Sequence, residues 1–310
     1  MDFKVTGKYE GRLLRDFIRS ECGVSRKALC KLKELDDGIL LNGSRVTVRA
    51  VLSYGDIVSL ALEDTESDEN PFVEAVGEMP TILYEDDAVI VVDKPFGMPT
   101  HTSFGHYTDA LSNAVCSYLR SKGQPFVFRA VNRLDRDTSG CVLIAKNRYY
   151  ANKLSKAMST GQIKKCYIAI TDGITPESGR IEGYISREGE SIIKRRLSAT
   201  PSEDSEYSLT EYERIDASDG ISLVRLDPIT GRTHQLRLHL SSIDCPISGD
   251  TMYGCASEEI SRQALHAYSL RFPSPIDGSE ITVLAPLPTD MLKFAEEHGL
   301  EATIDLRRNK

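Results

Sequence analysis

Apolar residues near the start of the chain recur first at helical and then at strand spacing. Leu13, Leu14, Phe17 and Ile18 fall on one helical face. Ser25 is placed to cap a second helix, and Leu29, Leu32 and Leu35 follow along one side of it. ILLNGSRV then centres on Asn42-Gly43, a pair suited to a tight hairpin, and DIVSLAL follows Gly55 as a closing strand. Residues 1–62 are therefore expected to form a small αβ unit.

The pattern lapses over residues 63–79, where seven acids and no base accompany Pro71 and Gly77. This composition predicts a linker. A second domain, 80–310, opens with ILYEDDAVIVVDKP, a strand pair around Glu85-Asp86-Asp87. A helix is expected over 108–121, a strand at GCVLIAKN and a helix at NKLSKAMST. KCYIAITDG, EYSLTEYERI and ISLVRLDPI read as further strands. Strands dominate without a regular strand–helix alternation, so the fold class is α+β with a mixed, largely antiparallel sheet.

Composition narrows the function. A chain of 310 residues suits about two domains. The seven cysteines are scattered and form no Cys-x-x-Cys pair, so they read as reduced thiols rather than disulfides or a zinc site. No apolar run approaches the ~20 residues of a membrane span, and MDFKVTGKYEGRLL lacks a signal-peptide stretch. A cytoplasmic, monomeric protein without a membrane partner is expected. The net charge of −8 argues against nucleic acid, but its distribution does not. Residues 1–62 carry 11 bases against 8 acids, and the linker holds nearly the whole deficit. No glycine-rich phosphate loop is present, so no nucleotide cofactor is expected.

The densest chemistry is Val131-Asn132-Arg133-Leu134-Asp135-Arg136-Asp137-Thr138-Ser139-Gly140. A carboxylate among guanidinium groups stays ionised, which suits a nucleophile better than a general acid. By composition alone, a surface ion-pair cluster is the favoured reading. Asp135 and Asp137 could also be the carboxylate pair of a glycosidase. In GRTHQLRLHL, Thr233 could cap a helix that turns Leu236 and Leu240 to the core, and Arg237 could fork onto a carboxylate. His234 and His239 lie on different helical faces, so they read as structural histidines without a metal.

The Arg133–Gly140 segment resembles the signature of the RluA/RluC/RluD-type pseudouridine synthases. EDDAVIVVDKPFGMPTH, Lys165-Cys166-Tyr167-Ile168-Ala169, GRTHQLRLHL and ALHAYSLRFPSP resemble further segments of that family in the same order. The resemblance implies isomerisation of uridine to pseudouridine in structured RNA. Its substrate would be large-subunit ribosomal RNA, with tRNA as the alternative. It assigns Asp135 as the nucleophile, Arg237 as its partner, Tyr167 as the active-site tyrosine, and Arg133 to the space left by a flipped nucleotide. No cofactor or metal is implied. Asn132 stands where the family usually has histidine. Residues 11–62 resemble the S4 RNA-binding domain, which implies that Arg26, Lys27 and Lys31 face an RNA backbone.

Overall fold

The structure is a computed structural model that describes residues 1–63, 70, 72–189, 191 and 193–301. The smaller unit comprises β1 (Asp2–Lys4), α1 (Leu14–Ser20), α2 (Arg26–Glu34), β2 (Ile39–Leu41), β3 (Ser44–Arg45) and β4 (Ile57–Leu60). Its sheet order is β1-β4-β2-β3. The local signals explain the elements. Ser25 Oγ accepts the Ala28 N–H at 3.2 Å and starts α2. Asn42 and Gly43 both take positive φ, 51° and 79°, the geometry a two-residue hairpin requires.

The larger unit contains β5 (Ile82–Glu85), β6 (Val89–Lys94), α3 (Leu111–Ser121), β7 (Ser139–Ala145), α4 (Arg148–Ser159) and β8 (Lys164–Asp172). It continues through β9 (Ser178–Arg187), β10 (Arg195–Ser198), β11 (Glu206–Ser218), β12 (Ile221–Pro228) and α5 (Gln235–Ser241). It closes with β13 (Leu265–Pro273), β14 (Glu280–Leu284) and α6 (Thr289–Glu297). Nine strands run in the order β10-β9-β11-β12-β8-β13-β7-β6-β5, and β14 pairs with β13. The β7–β13 pair is parallel and the other pairings are antiparallel. The α+β expectation therefore holds.

Both faces of the central strands are buried. Along β7, Val142 and Ile144 join one apolar cluster while Cys141, Leu143 and Ala145 join another. The second cluster also contains Val5, Leu14, Phe17 and Leu32 of the smaller unit, and the Phe3 and Tyr149 rings meet edge-on at 5.4 Å. The smaller unit thus covers one sheet face and shares its core with α4. Burying each such aliphatic side chain stabilises the fold by ~1.5–3 kcal/mol. Part of the expected linker is also packed. Val73, Ala75 and Met79 lie against the first cluster, and Asn113 Nδ2 donates to the Glu74 carbonyl at 2.7 Å. The acidic stretch 64–69 lies outside the described residues.

The parallel β7–β13 contact explains the glycine that ends the charged segment. Gly140 has φ 110°, and a Cβ there would stand 2.3 Å from the Ala267 carbonyl oxygen. The strands can pair only without a side chain, which places the loop 131–138 at the end of the central strands.

Candidate active site

The loop carrying Asp135 is held at several points. Leu134 N–H donates to Thr100 Oγ1 at 3.1 Å, and the Thr100 hydroxyl donates to the Leu134 carbonyl at 2.9 Å. Lys94, fully buried, donates to the carbonyls of Pro95, Met98 and Arg136 at 2.9, 2.7 and 3.1 Å. Burial lowers the Lys94 pKa to about 7, although Asp137 and Asp135 favour its charge. Asn132, in place of the expected histidine, uses both ends of its amide. It donates to the Cys141 carbonyl at 3.0 Å and accepts the Leu143 N–H at 2.8 Å. It ties the loop to β7 as a structural clamp.

A cavity of about 580 Å³ opens over this loop, and Arg133, Asp135, Tyr167 and Arg237 all line it. Four predicted residues from the Asp135 loop, β8 and α5 therefore converge. Arg136 pairs instead with Asp137 at 3.0 Å. Asp137 is not among the cavity-lining residues, so the two carboxylates of the loop do not form a pair across one site. Arg133 is exposed at the cavity and makes no ion pair among the described residues. Arg26, Lys27 and Lys31 lie exposed on α2 and do not line this cavity.

One expectation for GRTHQLRLHL needs correction. Thr233 does not cap α5. The helix begins at Gln235, preceded by His234 in a left-handed conformation with φ 57°. Gln235 Oε1 accepts the Arg232 N–H at 2.9 Å and the Thr230 hydroxyl at 2.8 Å, closing the turn. Arg237 does fork onto a carboxylate, Asp250, and also pairs with Asp135 through its remaining nitrogen. Its Nε and Nη2 donate to Asp250 at 2.6 and 2.8 Å, while Nη1 reaches Asp135 Oδ2 at 3.4 Å. The stronger partner lies on the Ser248–Gly254 loop.

Asp250 is nearly inaccessible and is the principal residue sequence reasoning missed. Burial raises its pKa, but the hydrogen bonds and charge of Arg237, with the Met252 and Tyr253 N–H groups, bring it below the usual carboxylate value. Gly249, at φ 74°, lies 2.3 Å from the Arg262 carbonyl through a hypothetical Cβ. The Gly-Asp step before Tyr253-Gly254 was the available signal.

His234 was expected to be structural, yet it faces the cavity with Nε2 3.9 Å from Asp135 Oδ2. Its Nδ1 is 2.8 Å from the Tyr253 hydroxyl, whose oxygen accepts the Arg195 N–H at 2.9 Å. The phenol proton is thereby available to Nδ1, which leaves the ring's own proton on Nε2, facing Asp135. Burial lowers the His234 pKa, Asp135 opposes that shift, and Arg237 and Arg195 reinforce it. His239 fits the structural expectation, lying between Ser208 and Thr210 at 2.9 Å from each.

Tyr167 is 8 % exposed. Burial, then the nearby Asp135 charge, raise its pKa well above the usual tyrosine value. At neutral pH it is a neutral ring with a hydroxyl donor. Among the described residues, no group of three or more His, Cys, Asp or Glu could hold a metal ion, and no helix is long and apolar enough to cross a membrane.

This carboxylate, aimed by a buried arginine beside a buried tyrosine, sits inside a recognised family. The sequence model described as RNA pseudouridylate synthase matches residues 88–242. The RNA pseudouridine synthase YjbO of Bacillus subtilis is 35 % identical over 275 residues, 88 % of this chain and 95 % of that protein. Ribosomal large subunit pseudouridine synthase D of Neisseria meningitidis serogroup A is 33 % identical over 236 residues, 72 % of this chain and 62 % of that protein. Among solved structures, human RNA Pseudouridylate Synthase Domain Containing 4 superposes with a TM-score of 0.58 at 27 % identity, covering 71 % of this chain and 93 % of that one. The chain belongs to the RNA pseudouridylate synthase family. It is an RNA pseudouridine synthase, an isomerase that acts on RNA.

Proposed function

We propose that the protein isomerises specific uridines of large-subunit ribosomal RNA, with Asp135 as the nucleophile. The observation that carries this reading is the convergence of Asp135, Tyr167 and Arg237 on one cavity beside Arg133. The name of the Neisseria relative supports the choice of RNA.

The reaction breaks N1–C1′, turns the uracil and joins C5 to C1′. The base loses a proton at C5 and gains one at N1, so no atoms are added overall. The target must leave its stack to reach Asp135, at a cost of a few kcal/mol. Arg133 enters the vacated space and offsets part of that cost. Tyr167 packs against the uracil as a neutral phenol. Arg237, locked by Asp250, holds the Asp135 carboxylate toward the sugar. The 1–62 unit acts as an S4-like module, and Arg26, Lys27 and Lys31 meet the RNA backbone without reading sequence. No cofactor takes part.

The test is pseudouridine mapping of total RNA from a strain lacking the gene, complemented with wild type or Asp135→Ala. Wild type restores at least one lost site in large-subunit RNA and Asp135→Ala restores none. Restoration by Asp135→Ala overturns the nucleophile. A gene-dependent site confined to tRNA overturns the ribosomal target alone.

A further inference from the structure

Lys165 is a cation in the active-site cavity for which the described residues supply no counter-charge. It lies on β8 two residues before Tyr167, so both side chains leave the same strand face. Both line the cavity. Among the described residues, its ammonium makes no ion pair and no hydrogen bond. The neighbouring charge that acts on it is Arg232, another cation. Burial, then Arg232, pull its pKa below the usual lysine value.

The turn opposite is shaped around this ammonium. A Cβ on Gly231 would stand 3.2 Å from Lys165 Nζ, so the missing side chain leaves the ammonium its room. Arg232 is kept on the same turn by Glu206 at 2.6 Å and the Tyr207 carbonyl at 3.1 Å. The cavity's carboxylate, Asp135, is engaged by Arg237 at 3.4 Å and approached by His234 at 3.9 Å. A half-buried ammonium beside a like charge is unfavourable unless an anion arrives. An RNA substrate brings one, since a uridine delivered to Asp135 carries phosphodiesters on both sides.

We propose that Lys165, with Arg232 beside it, is the seat of a phosphodiester flanking the target uridine. This rests on the reading of Asp135 as the residue that meets the target ribose. Lys165 is then a positioning residue. It fixes the backbone on one side of the flipped nucleotide while Tyr167, on the same face, meets the base. Arrival of the phosphate supplies the missing counter-charge and opposes the downward pull of burial and Arg232 on the lysine pKa.

The experiment uses the full-length protein and an RNA oligonucleotide containing the mapped uridine. A matched set replaces single phosphates near that uridine with neutral methylphosphonates. Binding is measured across a salt series for wild type, Lys165→Met and Lys165→Arg. Losing one phosphate contact makes the slope of log K against log salt shallower by about 0.7 for single-stranded RNA. Lys165→Met shows that change and Lys165→Arg does not. One methylphosphonate position weakens wild type and adds no further loss to Lys165→Met. An unchanged slope in Lys165→Met, or equal sensitivity of both proteins at every linkage, overturns the proposal. If Lys165→Met does not fold, the wild-type scan decides: no sensitive linkage beside the uridine overturns it, and one supports it. A wild type that modifies no RNA overturns the broader reading together with this one, whereas an active wild type with an unchanged slope in Lys165→Met overturns the phosphate seat alone.

Discussion

Arg237 and Asp250 form a buried ion pair through two hydrogen bonds of 2.6 and 2.8 Å, and the remaining guanidinium nitrogen reaches Asp135 at 3.4 Å. This division of labour matters for reactivity. An arginine without Asp250 would close on Asp135 with both arms and occupy its lone pairs. Because Asp250 takes the fork, Asp135 is oriented but left open to the cavity. The Arg237 guanidinium also lies 5.1 Å from the Tyr253 ring centroid, so its plane is packed as well as bonded.

Asp250→Asn should therefore cost more rate than RNA affinity. The amide still accepts the Met252 and Tyr253 N–H groups but loses the charge that holds Arg237. Breaking one side of a buried pair destabilises by about 3–5 kcal/mol. Single-turnover rates should fall at least about tenfold, equivalent to ~1.4 kcal/mol of barrier, while the RNA Kd changes far less. An unchanged rate would mean that Asp135 needs no such anchor.

Tyr167 should not titrate in the working range. Burial and Asp135 both raise its pKa above the usual tyrosine value. The wild-type pH–rate profile should show no change between pH 7 and 10 that Tyr167→Phe removes. Tyr167→Ala should weaken RNA binding by about 1–3 kcal/mol, the scale of one base–aromatic contact, while Tyr167→Phe should not. A phenolate limb lost in Tyr167→Phe would contradict this.

Lys94 should behave as a structural hydrogen-bond donor. Its three carbonyl partners join the loop before the cavity to the Arg136 backbone. Lys94→Met leaves these acceptors without that donor and should lower stability by about 1–3 kcal/mol. Chemical denaturation measures the loss. A variant with full stability but no activity would instead give Lys94 a direct chemical role.

How much of this was legible depended on whether the signal was local. The apolar run of β6, the Ser25 cap and the Asn42-Gly43 turn are each set by neighbours in sequence, and each could be read. The Asp135 loop was legible because its charges and its closing Ser139-Gly140 are contiguous. The Arg237–Asp250 pair was not, since its members sit on different elements 13 residues apart. The start of α5 was misread because His234, not Thr233, occupies the turn, and its left-handed backbone leaves no clear residue signal. Strand β9 was hidden by Gly179 and Gly183, which usually mark turns. In the fold their missing side chains make room for Tyr212 and Leu197, which hypothetical Cβ atoms would approach to 2.6 and 2.8 Å.

Acid should unfold the protein through two interior histidines. His239 and His266 are fully buried. Burial lowers both to about 4, with Arg262 also lowering His266 while the Ala285 hydrogen bond and Asp290 oppose it. An unfolded histidine titrates near 6.5. Between those values the unfolded chain binds protons that the folded chain refuses. Stability is therefore full above about pH 6.5 and falls as pH drops toward 4, by about 2 kcal/mol per ring at pH 5. Denaturation at pH 7.5 and 5 should show the loss, and His239→Gln should lessen it. An equal loss in that variant would rule out His239 as a source.

The chemistry proposed for Asp135 has one direct readout. Joining C5 to C1′ must expel the C5 hydrogen, so RNA labelled with tritium at uridine C5 releases tritium to water at each turnover. The purified full-length protein and its Asp135→Asn variant are compared on the same labelled large-subunit RNA, with RNA binding measured in parallel. Wild type should release tritium, and Asp135→Asn should bind the RNA but release none above background. Release by Asp135→Asn at a rate near wild type would contradict the assignment of Asp135 as the nucleophile.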